Sequence, residues 1–172
     1  LRIGYFDWDQ RLNPDHMYQL FSGTPPIQHI YGLREVLDMI NEEGLENIWN
    51  RHQILSDAVR AAVETWQQPD GLELNIIEPQ ARSNAVTTVL TGTIDSEQLR
   101  NICSSQAGLT LGLAVGGLDA DAFRIGHMGH LNPPMILGTL ATIEAALLSM
   151  KAPIGGNGIG TAAEVIANAF PD

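Results

Sequence analysis

Lysine is nearly absent. Lys151 is the only one in 172 residues, so any chemistry that needs a reactive amine has a single side chain to draw on. Cysteine is as scarce. Cys103 alone excludes an internal disulfide framework and fits a reducing, cytoplasmic setting. Basic residues are few, 9 against 20 acidic ones, and the formal net charge of −11 argues against nucleic acid and anionic membrane surfaces as partners. No apolar run is long enough to span a bilayer. The amino end, Leu1-Arg2-Ile3-Gly4, has neither an initiator methionine nor a signal-peptide layout, and reads as the later portion of a longer polypeptide. What is present is a 44% hydrophobic composition, enough to bury a core.

The apolar pattern gives an order of elements. Residues 1–26 are aromatic, proline-punctuated and aperiodic, an irregular lead-in. Ser22-Gly23-Thr24-Pro25-Pro26 marks a helix start, with Thr24 as N-cap and Pro25 at the first helical position. Ile30, Leu33, Leu37 and Ile40 follow at helical spacing, and Gly44 ends the run. A second helix carries Leu45, Ile48, His52, Leu55, Val59, Ala62 and Trp66 on one stripe, and Pro69-Asp70-Gly71 stops it in a turn. The period then changes. Leu72–Ile76 alternates as a half-buried strand does, and Val86–Leu90 is a β-branched run. Asp95 caps a short helix that carries Leu99 and Ile102 inward, with Gln98 at the capping-box position. Leu109–Val115 and Ala122–Ile125 read as strands. Asn132-Pro133-Pro134 opens a helix with Leu137, Leu140, Ile143 and Leu147 on its buried face. A glycine-rich link, residues 155–160, leads to a last helix through Ala162, Val165, Ile166 and Ala169. The order ααββαββαα predicts an α/β or α+β layered domain, a mixed or antiparallel sheet with helices covering one face.

Arg124 is the leading candidate for chemistry. It stands in Phe123-Arg124-Ile125-Gly126-His127-Met128-Gly129, where a guanidinium at the mouth of a crevice can grip a carboxylate through two parallel hydrogen bonds. The plainer reading is a strand-end arginine in an ordinary salt bridge. Against it, the neighbours Phe123 and Ile125 are apolar, and Gly126 and Gly129 allow close backbone approach. Thr24, beside Gly23 at a helix start, suits a phosphate, or is simply a cap. His127 and His130 lack the further ligands a metal needs, with Cys103 isolated; a histidine lining the Arg124 crevice, or a loop histidine, is the better reading. Gly156-Asn157-Gly158-Ile159-Gly160 follows a helix and not a buried strand, so it reads as a helix–helix connection and not a dinucleotide loop. Ser104-Ser105 has no G-x-S-x-G context, and Glu35, Asp38, Glu42, Glu43 and Glu46 form a solvated helical face.

Four segments carry a resemblance: Ser22–Pro26, Ile30-Tyr31-Gly32-Leu33-Arg34-Glu35, Gly44-Leu45-Glu46-Asn47-Ile48-Trp49, and Arg124–Gly129. Over nearly its whole length the chain resembles the carboxy-terminal part of class V, fold-type I, pyridoxal-phosphate (PLP) aminotransferases of the alanine–glyoxylate/serine–pyruvate group. The resemblance implies that Arg124 binds the substrate α-carboxylate. It implies that Thr24, with Gly23, reaches the PLP phosphate, usually across a homodimer interface. A phosphate-touching tyrosine of some members is replaced here by Phe21. The second arginine of the pyridoxamine–pyruvate type, nine residues before Arg124, is replaced by Val115, which counts against that specificity.

The resemblance places residues 1–24 at the end of a large PLP-binding domain and 25–172 in the small carboxy-terminal domain. The cofactor-linked lysine and the acid that holds the pyridine nitrogen are expected upstream. Lys151 follows the arginine motif instead of preceding it and is not assigned that role, so this chain alone is expected to be inactive. The implied activity is transfer of an amino group from a small amino acid to a 2-oxo acid of the pyruvate or glyoxylate class. The alternative is a non-catalytic α/β ligand-binding or dimerisation module.

Overall fold

The computed structural model describes residues 6–118 and 121–170; Leu1-Arg2-Ile3-Gly4 lies outside that range. Its contacts divide the chain into two units, Leu1–Leu45 and Glu46–Asp172.

In the first unit the lead-in is less irregular than its sequence suggests. It holds a single-turn helix α1 (Asp9–Leu12) and a 3₁₀ segment, Met17–Phe21, tied together by Arg11 Nη2 donating to Ser22 Oγ at 2.9 Å. Helix α2 (Ile27–Glu43) starts later than expected. Its N-cap is Pro26, no side chain caps it, and the Ile27 N–H reaches the Pro25 carbonyl at 2.9 Å. The reason is the proline pair. A residue before proline is driven out of the α region, so Pro25 cannot be the first helical residue and Thr24 cannot be the cap. Gly44, at φ 85°, closes the helix as expected. The α2 stripe is open: Ile30, Leu33 and Leu37 are 45%, 58% and 49% exposed.

The second unit is a four-stranded antiparallel sheet with helices packed on it. Helix α3 (Leu45–Trp66) buries Leu55, Val59, Ala62 and Trp66, the second half of the stripe its periodicity predicts; Leu45, at the start of that stripe, is 49% exposed. Strands β1 (Glu73–Leu74), β2 (Val86–Leu90), β3 (Gly112–Leu113) and β4 (Ala122–Gly126) run in the order β1-β2-β4-β3. Helix α4 (Ser96–Ala107) starts where the Asp95 carboxylate accepts the Gln98 N–H at 2.8 Å. Helix α5 (Pro133–Ser149) starts where Asn132 Oδ1 accepts the Met135 N–H at 3.0 Å. Helix α6 (Gly158–Ala167) is capped by Asn157, which accepts the Gly160 N–H at 2.9 Å. The core joins Val59 and Trp66 of α3, Leu140, Ile143 and Leu147 of α5, and Ile166 of α6 to Val89, Phe123 and Ile125 of the sheet.

Two strands are shorter than their patterns. After β1 the Ile76 and Ile77 carbonyls accept from Arg82 Nε and Nη2, at 3.0 and 3.2 Å, so an arginine takes the place of a neighbouring strand there. Before β3 the Leu109 N–H closes the end of α4 on the Cys103 carbonyl, and beyond it Gly116 and Gly117 turn the chain at φ 72° and 87°.

The glycine-rich link is also not a link throughout, since its second half is the first turn of α6. Glu144 of α5 is buried, and its Oε2 accepts from Trp66 Nε1 at 2.6 Å, from the Gly158 N–H at 2.9 Å and from the Ile159 N–H at 3.3 Å. A Cβ at Gly158 would lie 2.4 Å from Trp66 Nε1 and 2.9 Å from the Ala62 carbonyl oxygen. Gly158→Ala raises helix propensity, yet it should lower stability by about 1–3 kcal/mol through overpacking. Denaturant unfolding checks this, and an unchanged midpoint would contradict the close packing.

Candidate functional site

Arg124 occupies the middle of β4, with a ladder on each side: Thr88 of β2 faces it across one and Gly112 of β3 across the other. In β4 the side chains alternate between faces. Phe123 and Ile125 enter the core, and Arg124, half-buried, projects from the other face. Its Nε donates to the Leu113 carbonyl at 2.6 Å. Among the described residues no carboxylate pairs with its guanidinium, so the plain salt bridge is not realised there. Arg124 is among the residues that line a cleft of about 250 Å³, with Val86, Thr110, Gly112, Ile125, Gly126 and Thr139. Expected at a strand end, Arg124 is instead held by the interior of the sheet.

The segment after Arg124 is gripped by residues that the sequence reading did not single out for this role. Arg51 Nη1 donates to the Gly129 and Leu131 carbonyls at 2.8 and 2.9 Å, and the Gly129 N–H donates to His52 Nε2 at 3.1 Å. His52 Nε2 also lies 3.0 Å from the Gly129 carbonyl. Because Arg51 already serves that oxygen, the acceptor role of Nε2 is the consistent one. A histidine in the apolar stripe of α3 was the available signal. Gly129 is at φ 88°, a left-handed conformation that explains a glycine there.

His127 does not line the Arg124 cleft; it is fully buried on the core side. Its Nδ1 donates to the Asn84 carbonyl at 3.1 Å, which leaves Nε2 to accept from the Thr87 hydroxyl at 2.8 Å. Asn84 is itself anchored by Ser56 and by Arg60, whose guanidinium also pairs with Asp57 at 2.9 Å. Burial pushes the His127 pKa below its ordinary 6.5. The Asn84 carbonyl and Asp57 oppose the shift, while Arg60 and His52 add to it. Among the described residues no group of three His, Cys, Asp or Glu side chains is arranged for a metal. Burial raises the pKa of the Cys103 thiol, which suits a core residue and not a nucleophile.

Thr24 and Gly23 lie in the first unit. Thr24 is exposed and Gly23 half-buried, with the Gly23 N–H on the Tyr18 carbonyl at 3.1 Å. Lys151 is exposed, at φ 55°, immediately beyond α5.

Comparison with known proteins places this arrangement. The chain superposes on ureidoglycine–glyoxylate aminotransferase from Bacillus subtilis with a TM-score of 0.81 at 30% identity, covering 97% of this chain and 43% of that one. It superposes on pyridoxamine–pyruvate aminotransferase from Mesorhizobium loti with a TM-score of 0.80 at 28% identity, covering 95% and 41%. The fold is thus that of the fold-type I, PLP-dependent aminotransferases. In sequence it is 37% identical to serine–glyoxylate aminotransferase of Arabidopsis thaliana over 97% of this chain and 41% of that protein. It is 33% identical to L-aspartate–glyoxylate aminotransferase of Paracoccus denitrificans over 82% and 35%. The aminotransferase class-V profile matches residues 8–116, and the chain belongs to that family. It spans about two-fifths of the length of these relatives.

The buried histidine gives a pH dependence with a defined sign. Because its folded pKa lies below the unfolded value, the unfolded state takes up a proton first. Stability held above about pH 6.5 should therefore fall as pH drops below 6.5 towards the folded value. Thermal unfolding from pH 8 to about 5 should show this loss, with a shallower slope in His127→Gln. Equal slopes would remove His127 as its source.

Proposed function

We propose that this chain is the carboxy-terminal part of a PLP-dependent aminotransferase, with residues 1–24 closing the large domain and 25–172 forming the small one. The complete enzyme moves an amino group from a small amino acid to a 2-oxo acid. The names of three relatives pair an amino donor with glyoxylate, which favours an acceptor of that class. Arg124 binds the substrate carboxylate. The observation that carries this is a guanidinium with Nε engaged, no carboxylate partner among the described residues, and a cleft beside it. A carboxylate there would meet two donors in a fixed fork, and holding it fixes the direction of the α-carbon.

PLP, when bound, supplies the electron-withdrawing ring that transamination requires. The start of α2 fits its phosphate: Pro26 provides no competing side-chain acceptor, and the Thr24 hydroxyl is exposed. Phe21 offers no hydroxyl, so Thr24 and nearby backbone amides would carry the contact on this side. Val115, exposed where the pyridoxamine–pyruvate type has its second arginine, favours a small amino acid over pyridoxamine as donor. Lys151 has no part in the reading. A homodimer in the cytoplasm completes the proposal, since the open apolar stripe of α2 is the kind of surface that subunits or domains cover.

In the complete enzyme, Arg124→Ala should raise KM for both the amino acid and the oxo acid roughly 100-fold, as expected for loss of a charge-assisted pair. Steady-state kinetics decide this, and unchanged KM values would refute the assignment. Thr24→Ala should weaken PLP binding about tenfold in a titration of the apoenzyme. Wild-type affinity would remove Thr24 from the phosphate site.

A further inference from the structure

Gly112 has no backbone reason to be glycine. Its φ is not in the left-handed region, unlike that of Gly108, Gly116 or Gly117. Glycine inside a strand forfeits stability, and some other cause must hold it there. The cause visible in the structure is Arg124. The two residues are direct cross-strand partners, so their side chains would stand on one face, side by side. A Cβ built at position 112 meets three nearest atoms, all from Arg124: Cβ at 3.2 Å, the carbonyl oxygen at 3.4 Å and Nε at 3.6 Å. The arginine stem thus lies across the bare backbone of residue 112, and its Nε reaches the carbonyl of the next residue, Leu113, at 2.6 Å.

That contact has a chemical consequence. A guanidinium can hold a carboxylate side-on, through Nε and one terminal nitrogen, or end-on, through Nη1 and Nη2. With Nε donating to Leu113, the side-on mode is closed and the end-on fork remains. We infer that Gly112, with the Leu113 carbonyl, is the positioning element that aims the Arg124 fork and so sets the affinity for the substrate carboxylate. This rests on the carboxylate role proposed for Arg124.

The test uses the complete enzyme and the variants Gly112→Ala, Gly112→Val, Arg124→Ala and Gly112→Val/Arg124→Ala. A Cβ at 112 lies 3.2 Å from Arg124 Cβ, so the paired strands must yield by a few tenths of an ångström, and the arginine stem, in ordinary contact at Nε 3.6 Å away, is pushed aside most by the larger valine. Because the Arg124 Cβ is fixed to the β4 backbone and is kept in Arg124→Ala, any fall in melting temperature caused by the Gly112 variants should be similar in both backgrounds. KM for both substrates should rise about tenfold or more, with valine worse than alanine, because the charge-assisted pair is weakened but not removed. Inhibition by propionate, which offers a carboxylate and little else, should weaken in parallel, while kcat changes little. In the Arg124→Ala background, Gly112→Val should add almost nothing to KM, because it acts through the missing guanidinium.

Wild-type KM values in both Gly112 variants, with Arg124→Ala impaired, would overturn the inference and leave the carboxylate role standing. An equal rise in KM from Gly112→Val in both backgrounds would also overturn it. Unimpaired Arg124→Ala would bring down both. If the valine variant does not fold, the alanine variant alone, crossed with Arg124→Ala, gives the same readouts.

Discussion

A single buried carboxylate joins three helices. Glu144 belongs to α5, accepts the indole N–H of Trp66 at the end of α3, and accepts two backbone N–H groups at the start of α6. An uncompensated charge in this position would be costly, but three donors and the positive end of a helix surround it. The bond to Trp66 sets the distance between α3 and α5, and Gly158 allows α6 to close against both. These helices form the floor on which Val89, Phe123 and Ile125 rest. The other half of α3 then holds Gly129 and Leu131 through Arg51 and His52. The placement of the arginine-bearing strand thus traces back, through one helix, to the Glu144 cluster.

The sequence was most legible where local chemistry decides the outcome. The caps at Asp95 and Asn132 and the second half of the α3 stripe fall where side-chain spacing puts them, because each depends on residues within a turn or two. The layered fold follows from element order, which leaves the sheet mixed or antiparallel; the pairings make it antiparallel. Strand lengths were less legible, since pairing depends on partners remote in sequence. Arg82 took the carbonyls of Ile76 and Ile77, and the cap of α4 took Leu109. Thr24 is not the cap because of a local effect, that of Pro26 on the backbone of Pro25. Glu144 interrupts an apolar stripe between Leu140 and Leu147, a signal that is visible in the sequence.

The candidate site shows a similar division. Arg124 could be found from its motif, because an arginine among apolar and glycine neighbours is unusual in itself. Its surroundings could not. That His127 turns into the core while Arg124 faces out is a matter of strand parity plus the Asn84 and Thr87 partners, 43 and 40 residues away. That Gly112 lies under the arginine depends on the β3–β4 register.

The interior position of β4 protects the arginine in another way. Both edges of the strand are paired, so its register cannot slide without breaking two ladders at once. A slip by one residue would exchange the faces, sending the guanidinium into the space of Phe123 and Ile125 and those rings and methyls into solvent. Burying that charge unpaired is prohibitive. Misregistered states of this sheet are therefore penalised by the same residue proposed to hold the substrate.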